Sequence, residues 1–307
     1  MIVDCYTHTW DSIEQLGRCV PPEGLDVAQA RVTADPQAAG PTRHWSAAAP
    51  VQTTCVLGFT SQYLDAEIPN DRIAAYVSQH PDRLVGFASI DPSDPKAASA
   101  ELARARDELG MRGVVVSPAA QGFHPSNSQA MLVFAEVAQR SMPIVFTSGV
   151  HIAPASKLEY AQPVLLDEIA RELPGLRIVI AHMGYPWTHE TIVLLGKHPN
   201  VYAEISWLLQ QPWQAYQALH HAHQYGVMDK LLFGSGFPFA AASQCIESLY
   251  SINHLVHGTS LPTIPREQLR GIVERDALGL LGIAEPRPGR RTPQPVPVGA
   301  EEDGEES

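Results

Sequence analysis

The sequence predicts an α/β fold in which eight parallel strands and their helices close into a single (β/α)8 TIM barrel. Short apolar runs alternate with helix-like segments eight times, which is typical of a parallel sheet with crossover helices. The eight units span roughly 280 residues, the size of one such barrel, and polar residues follow several of the apolar runs. Because periodicity cannot show closure, a doubly wound open sheet is the alternative, although no GxGxxG motif follows the first strand.

Each predicted strand is a short run rich in Val, Ile, Leu or Phe and bounded by turn residues. In chain order the predicted strands are Met1–Tyr6, Val51–Phe59, Leu84–Ser89, Arg112–Ser117, Pro143–Ser148, Arg177–Ala181, Asn200–Ser206 and Lys230–Ser235. The clearest helix has Asp94 as its N-cap and Gly110 as its stop. In chain order the predicted helices are Asp71–His80, Pro95–Leu109, Ser128–Arg140, Glu159–Leu173, His189–Lys197, Trp213–Tyr225, Ser243–Leu255 and Pro265–Leu281.

The barrel is predicted to occupy residues 1–284 as one domain, with one long connection and one tail outside the regular alternation. Residues 11–50 form a lid-like connection rich in Ala, Pro and Gly, with short helices near Leu25–Val32 and Thr42–Ala49. Residues 285–307 are dominated by proline, glycine and acids and cannot bury a core, so we expect a disordered tail.

Composition and charge argue against several functional classes. Of the 307 residues, 45% are hydrophobic and 18% are charged, which is ordinary for a soluble globular protein. A net charge of −12 argues against a nucleic-acid partner held by phosphate contacts. No apolar run reaches the ~20 residues that cross a bilayer, and no signal peptide is visible, so we expect a cytoplasmic protein without membrane contact. The four cysteines lie far apart, which predicts reduced thiols rather than a disulfide framework.

Chemically useful side chains follow the predicted strands at their carboxyl ends. Because these ends meet at one mouth of a barrel, we expect the side chains to converge there. The strongest signal is His182, which an apolar strand delivers to a loop opened by Gly184 and Pro186. The residues delivered are, in chain order, Asp4, Tyr6, His8, Thr147, Ser148, Gly149, His182, Glu204, Ser206, Ser235, Gly236 and Pro238.

With these residues in view, the chain resembles the amidohydrolase superfamily. The resembling branch is the amidohydrolase-related one, which includes metal-dependent hydrolases and aminocarboxymuconate-semialdehyde and resorcylate-type decarboxylases. The resemblance rests on HPDRLVGFASIDP at 80–92, ELARARDELGMRGVVV at 101–116, LRIVIAHMGYPW at 176–187, HPNVYAEIS at 198–206 and LLFGSGFPF at 231–239. It implies a (β/α)8 barrel and a hydrolase or decarboxylase that acts on a small carboxylate-bearing molecule or a lactone.

The resemblance also implies that most metal ligands of the family are replaced in this chain. The family pairs a histidine or acid with a second histidine two residues later on strand one, where this chain has Tyr6 and His8. The strand-five histidine falls on Thr147, and the strand-eight aspartate falls on Gly236. Only His8 and His182 match, whereas a catalytic divalent metal needs about three protein ligands. We therefore expect no metal cofactor, or at most weak binding of a divalent metal such as zinc at these two remnant histidines.

Several candidate residues keep two interpretations open. His182 is a candidate general acid or base, with a structural remnant as the alternative. Glu204 is the candidate catalytic carboxylate, with an ion pair to a neighbouring arginine as the alternative. His8 is interpreted as a hydrogen-bonded residue of the mouth rather than a metal ligand. Trp187 is interpreted as a wall of an apolar pocket or as plain packing, and His151 as a loop residue rather than a substitute ligand.

The remaining histidines are predicted to lie outside the site. His44, His124 and His189 are expected to be surface or loop residues. The run at 220–223 resembles a metal-binding tract, but a helix turns successive side chains by about 100°, so we predict a solvated helix face.

Three functional interpretations stay open at this point. The first is an amidohydrolase-related pseudoenzyme or binding protein without a metal. The second is a metal-independent hydrolase of a lactone or activated ester that uses His182 with Glu204 or His8. The third is a metal enzyme with an unorthodox ligand set. Each interpretation takes a small-molecule ligand, and a homo-oligomer stays open in all three.

Overall fold

Eight parallel strands form one continuous sheet in the computed structural model, which describes residues 1–19, 39–147 and 155–285. Each strand pairs with its neighbour in chain order, as expected when every crossover is a short helix-bearing connection. Each begins within two residues of its predicted start. The strands are β1 (Val3–His8), β2 (Thr53–Leu57), β5 (Leu84–Ser89), β6 (Gly113–Val116), β7 (Ile144–Phe146), β8 (Ile178–Ile180), β9 (Val201–Glu204) and β10 (Leu231–Leu232).

Backbone hydrogen bonds join β1 to the segment that follows β10 and close the sheet. The Cys5 N–H donates to the Phe233 carbonyl at 2.9 Å, and the His8 N–H donates to the Phe237 carbonyl at 2.9 Å. Both acceptors lie beyond the last residue of β10, so the eighth strand pairs with β1 along an irregular stretch. This seam confirms the predicted barrel and contradicts the open-sheet alternative.

A short hairpin follows β2, and the sequence did not indicate it. The predicted strand Val51–Phe59 ends at Leu57, and β3 (Phe59–Ser61) then pairs antiparallel with β4 (Ala66–Ile68). Gly58 lies at the break between the two strands. A larger residue would not fit there, because a Cβ would lie 2.8 Å from the Asn70 side-chain oxygen. Strands of three residues are too short for an alternating pattern to stand out.

The helices agree with most predicted segments, with three corrections. Regular helix within 159–173 covers only Leu166–Glu172, because 3-10 turns precede it. The segment 243–255 ends its α-helix at Tyr250, and the segment 265–281 divides at Asp276, which caps a second helix through the Gly279 N–H at 2.9 Å. The helices are α1 (Pro41–Ala47), α2 (Asn70–Gln79), α3 (Pro95–Asp107), α4 (Pro118–Gln121), α5 (Ser128–Gln139), α6 (Leu166–Glu172), α7 (Thr188–Lys197), α8 (Pro212–Tyr225), α9 (Ala242–Tyr250), α10 (Arg266–Val273) and α11 (Ala277–Leu281).

Apolar side chains fill the barrel below its mouth. The inner cluster includes Cys55, Phe87, Val115, Val145, Val179 and Leu232, one from each of six strands. Leu278 and Leu281 of α11 belong to the same cluster as Val3 at the start of β1, so α11 closes the amino-terminal end of the barrel. The carboxyl-terminal end is therefore the end at which a ligand can enter.

Some predictions fall on residues outside those described. They concern the helix near Leu25–Val32, Ser148 and Gly149, His151, and nearly all of the tail after Ala284. Within the described part of the chain, no helix is long and apolar enough to cross a membrane.

Candidate functional site

His182 follows β8 and lies almost completely buried at the mouth of the barrel. Its backbone is in the left-handed region, with φ of 55°, and Met183 follows with φ of 49°. Left-handed backbone costs a non-glycine residue of order 1 to 3 kcal/mol, so the surroundings must hold this turn in place. A hydrogen bond that does so runs from the His182 N–H to Glu204 Oε1 at 2.6 Å.

Glu204 is the buried carboxylate of the site, with no exposed surface. Besides the His182 N–H, it accepts the Ser206 N–H at 2.7 Å and the Ser206 hydroxyl at 3.1 Å, and His182 Nδ1 lies 3.1 Å from Oε1. Burial acts to raise the pKa of Glu204, but the His182 ring and these hydrogen bonds outweigh it and hold the pKa below its usual value. Among the described residues the basic side chain within 4 Å of this carboxylate is His182 and not an arginine, so the predicted alternative of an arginine partner is wrong.

Ser206 completes a three-residue cluster that assigns the proton on His182. An ionised carboxylate only accepts hydrogen bonds, so the Ser206 hydroxyl gives its proton to Glu204. The same hydroxyl oxygen lies 2.8 Å from His182 Nδ1 and therefore accepts the Nδ1 proton. A neutral His182 ring then carries its proton on Nδ1, and its lone pair is on Nε2.

Tyr6 packs against both of the histidines that the sequence singled out. Its ring centroid is 5.0 Å from that of His8 and 4.7 Å from that of His182, with edge-to-face geometry in both pairs. The two imidazoles therefore lie within about 10 Å of each other, close enough to serve one ligand. Burial raises the pKa of Tyr6 far above its usual value, so the phenol stays neutral.

His8 is a hydrogen-bonded residue of the mouth, as the sequence-based interpretation proposed. Its Nδ1 lies 3.0 Å from the Leu57 carbonyl oxygen, which can only accept, so Nδ1 carries the proton. Burial lowers the pKa of His8 to about 4 despite this hydrogen bond, and the nearby His182 adds to the effect. The ring is therefore neutral at physiological pH.

Thr147, Gly236 and Trp187 also lie at the carboxyl-terminal end of the barrel. The Thr147 hydroxyl is hydrogen-bonded to the Ser117 hydroxyl and to the Val116 carbonyl. Gly236 has φ of 71°, and a Cβ there would lie 3.1 Å from Ser206 Cβ, so the backbone and its neighbour both favour glycine. Trp187 is half-buried in the loop between β8 and α7.

These residues do not fit the divalent metal that the family resemblance implies. Tyr6 is a neutral phenol, the Thr147 hydroxyl is already hydrogen-bonded, and Glu204 uses both oxygens on amides and side chains. Within residues 1–19, 39–147 and 155–285, no group of three or more His, Cys, Asp or Glu side chains is arranged to hold a metal ion. Of the positions that match family ligands among the described residues, only the imidazoles of His8 and His182 remain as metal donors.

His44 was expected at the surface or in a loop, and that prediction is wrong. It lies in α1 with no exposed surface, and its Nδ1 is 2.8 Å from the Tyr76 hydroxyl. Its Nε2 is 3.0 Å from the hydroxyl of Thr7, which itself donates to the Cys55 carbonyl. The network ties α1 to β1 and α2, and burial lowers the pKa of His44 to about 4.

For the other described histidines, the prediction is confirmed at two positions and only in part on α8. His124 and His189 are exposed. On α8, His220, His221 and His223 are half-buried rather than fully solvated, and His223 Nδ1 bonds the Gln268 side chain at 2.6 Å.

Two residues near the site had no assigned role in the sequence-based interpretation. Ser206 was noted only as a strand-end residue, and its contact with His182 depends on two strands lying side by side. Asp4, also a strand-end residue, is buried at the β1 seam, where Oδ1 accepts the Ser235 N–H at 2.9 Å. Burial raises the pKa of Asp4 to about 7 despite hydrogen bonds from Ser235 and Tyr6, and Glu204 adds to the rise.

Comparison with known proteins identifies the family to which the chain belongs. The family model Amidohydro_2, described as amidohydrolase, matches residues 3–282. A gamma-resorcylate decarboxylase of Rhodococcus jostii (strain RHA1) is 28% identical over 143 residues, which are 38% of this chain and 44% of that protein. The chain thus matches less than half of that relative's length.

Solved structures of decarboxylases share the fold over nearly the whole chain. A 2,6-dihydroxybenzoate decarboxylase complexed with 2,6-dihydroxybenzoate has a TM-score of 0.64 and 16% identity, covering 92% of this chain and 98% of that one. A dihydroxybenzoic acid decarboxylase from Polaromonas sp. JS666, with bound manganese and the inhibitor 2-nitroresorcinol, has a TM-score of 0.61 and 16% identity, covering 92% and 96%. At this identity the likeness shows the fold.

Proposed function

This chain belongs to the amidohydrolase family, and we propose that its barrel mouth binds a small, planar, carboxylate-bearing molecule without a resident divalent metal. The observation that carries the proposal is the packing of Tyr6, whose ring contacts the imidazoles of both His8 and His182. A buried neutral phenol in that place offers an aromatic surface instead of an anionic metal ligand. An aromatic contact of this kind favours a flat ligand over a metal ion.

The relatives suggest the chemical class of the ligand. One structural relative holds 2,6-dihydroxybenzoate and another holds 2-nitroresorcinol, and both are small planar aromatic molecules. An aromatic ligand would continue the edge-to-face packing that Tyr6 already makes at 4.7 and 5.0 Å. Such ring pairs contribute about 0.5 to 1.5 kcal/mol beyond the burial of apolar area.

The metal-free part of the proposal is tested by metal analysis of the purified protein. We expect well under one equivalent of zinc, manganese or iron per chain. A Tyr6→His, Thr147→His double variant is the positive control, because it adds imidazoles at two strand ends and is expected to gain zinc affinity. Stoichiometric metal in the wild-type protein that resists a chelator would overturn this part and support an unorthodox ligand set.

Binding is tested by calorimetric titration of chelator-treated protein with 2,6-dihydroxybenzoate. We expect saturable binding that Tyr6→Leu weakens by about 2- to 10-fold, because the substitution removes an aromatic contact worth about 0.5 to 1.5 kcal/mol. Tyr225→Leu is the control, since Tyr225 is 55% exposed and lies at the far end of α8. Absence of binding at millimolar ligand, or equal losses in both variants, would refute the proposal.

A second candidate function is supported by one further contact. The Ser206 hydroxyl and Glu204 both lie against Nδ1 of His182, and partners at that nitrogen orient an imidazole as a general base. In a metal-independent hydrolase of a lactone or activated ester, His182 would take a proton from water through Nε2. The water oxygen would add to the ester carbonyl, and the C–O bond would then break as the proton passes to the departing alcohol oxygen.

The hydrolase candidate predicts activity that survives chelation. Chelator-treated protein should hydrolyse an activated phenyl ester or a simple lactone, and His182→Gln should lower kcat by about 10²-fold or more, the usual contribution of a general base. An unchanged rate in His182→Gln would eliminate this candidate and leave the binding proposal intact.

A further inference from the structure

Lys157 is a cation placed at the mouth of the barrel. Its backbone N–H donates to the Ala119 carbonyl at 2.9 Å, which anchors it to α4 in the loop after β6. Lys157 itself lies in the connection that follows β7. Both connections leave the carboxyl ends of barrel strands, where ligands of this fold are bound.

Two tyrosine rings and one carbonyl surround the ammonium group. Lys157 Nζ donates to the Gly122 carbonyl at 3.0 Å and lies 5.4 Å from the ring centroids of Tyr63 and Tyr160. Among residues 1–19, 39–147 and 155–285, no carboxylate forms an ion pair with this lysine. An ammonium group has three donors, and the described contacts use one of them.

Lys230 shows what a structural lysine of the same kind looks like in this protein. Its Nζ contacts the carbonyl oxygens of His198, Pro199 and Val201 at 3.2, 2.7 and 3.3 Å, and it lies 4.7 Å from the Tyr202 ring centroid. These contacts match its three donors, and they lie at the amino-terminal end of the barrel, before β9 and β10. Lys157 shares the aromatic contact but lacks two of the three carbonyls.

The nearby arginine is not an equivalent cation. Arg18 also lies over the Tyr63 ring, 5.7 Å from its centroid, but it forms an ion pair with Asp65 at 3.2 Å. The whole chain carries a net charge of −12 and repels anions on average. A carboxylate ligand therefore needs a local cation that no protein acid already neutralises.

We propose that Lys157, with the Tyr63 and Tyr160 rings beside it, forms the subsite that recognises the carboxylate of the ligand. The two remaining ammonium donors bind the carboxylate oxygens, and the tyrosine faces hold the ammonium in place. This subsite rests on the proposed function, because it assigns the charged end of the same planar ligand.

The test compares a charged and a neutral ligand of the same shape. Dissociation constants of 2,6-dihydroxybenzoate and 2,6-dihydroxybenzamide are measured by calorimetry for the wild type, Lys157→Met, Lys157→Arg and Lys230→Met. We expect Lys157→Met to weaken binding of the carboxylate by about 10- to 100-fold, the range of a charge-assisted hydrogen bond. We expect its effect on the amide to be less than about threefold. Lys157→Arg is expected to restore most of the carboxylate affinity, and Lys230→Met to leave both constants unchanged.

Salt supplies an independent readout of the same contact. Raising the ionic strength should weaken carboxylate binding in the wild type and have little effect in Lys157→Met, since the screened charge is gone. Equal losses for both ligands in Lys157→Met, or no loss at all, would overturn the carboxylate subsite while leaving the proposed function standing. If the wild type binds neither ligand, the proposed function fails and the subsite falls with it.

Discussion

Glu204→Gln is the substitution that tests the architecture of the mouth most directly. The glutamine has nearly the same volume, so packing is preserved. The two carboxylate oxygens, however, accept the backbone N–H groups of His182 and Ser206 at 2.6 and 2.7 Å. A glutamine amide presents only one acceptor, so one of these buried N–H groups must face an NH2 group.

The expected cost follows from that mismatch. Loss of one charge-assisted hydrogen bond costs about 1.5 to 3 kcal/mol, and a buried unsatisfied donor adds about 1 to 3 kcal/mol. We expect the free energy of unfolding to fall by about 3 to 5 kcal/mol, and the melting temperature by about 10 °C. Urea denaturation and calorimetry measure the two quantities. Glu108→Gln is the control, since Glu108 is an exposed carboxylate after α3, and should change stability by less than about 0.5 kcal/mol.

The pH dependence of the same variant gives a second check. The folded pKa of Glu204 is depressed below its unfolded value, so its ionised form stabilises the protein above the unfolded pKa. This stabilisation is lost as the pH falls through the folded pKa. The free energy of unfolding of the glutamine variant should therefore decrease less at low pH than that of the wild type. A variant as stable as the wild type, with the same acid dependence, would refute the assigned hydrogen bonding.

Three further outcomes are expected. Burial raises the pKa of Asp4 from 3.8 to about 7, so stability should fall as the pH rises between these values, and urea midpoints of Asp4→Asn should lack this decline. Burial lowers the pKa of His44 from 6.5 to about 4, so stability should be lost as the pH falls between these values, and His44→Leu should lose less over that range while being about 1 to 3 kcal/mol less stable at pH 7. Gly236→Asp should cost about 1 to 3 kcal/mol in thermal melts, because φ is 71° and Ser206 lies close, and an unchanged melting temperature would show that the backbone there adapts.

Local patterns were enough to place the barrel strands. An apolar run such as Ile178–Ile180 is readable because a strand buried on both faces needs apolar residues at every position. Glycine or proline directly follows three of the eight predicted strands, at Pro118, Gly149 and Gly236. The Phe59–Ile68 hairpin was not predicted, because its strands are short and partly exposed. No alternating hydrophobic pattern distinguishes them from a loop.

For the candidate site, the sequence predicted which residues are present but not how they contact each other. His182 and Glu204 were predicted because each lies at the end of a strand that the apolar pattern indicates. The ends of such strands converge in a barrel. Their relationship to each other was not readable, because the bond between them joins residues 22 positions apart on two different strands. Both alternatives for Glu204 were consistent with its place in the chain.

Charge and proton positions were decided by tertiary structure alone. Whether Asp4 titrates near neutrality, or His44 stays neutral, depends on burial and on partners such as Tyr76 that other elements bring into contact. The difference between Lys157 and Lys230 likewise depends on how many carbonyls the folded chain places around each ammonium. The sequence by itself determined which residues reach the mouth, since that depends on the strand period. Only the folded barrel decided what each one does there, because the energy of a buried polar group depends on its neighbours in space.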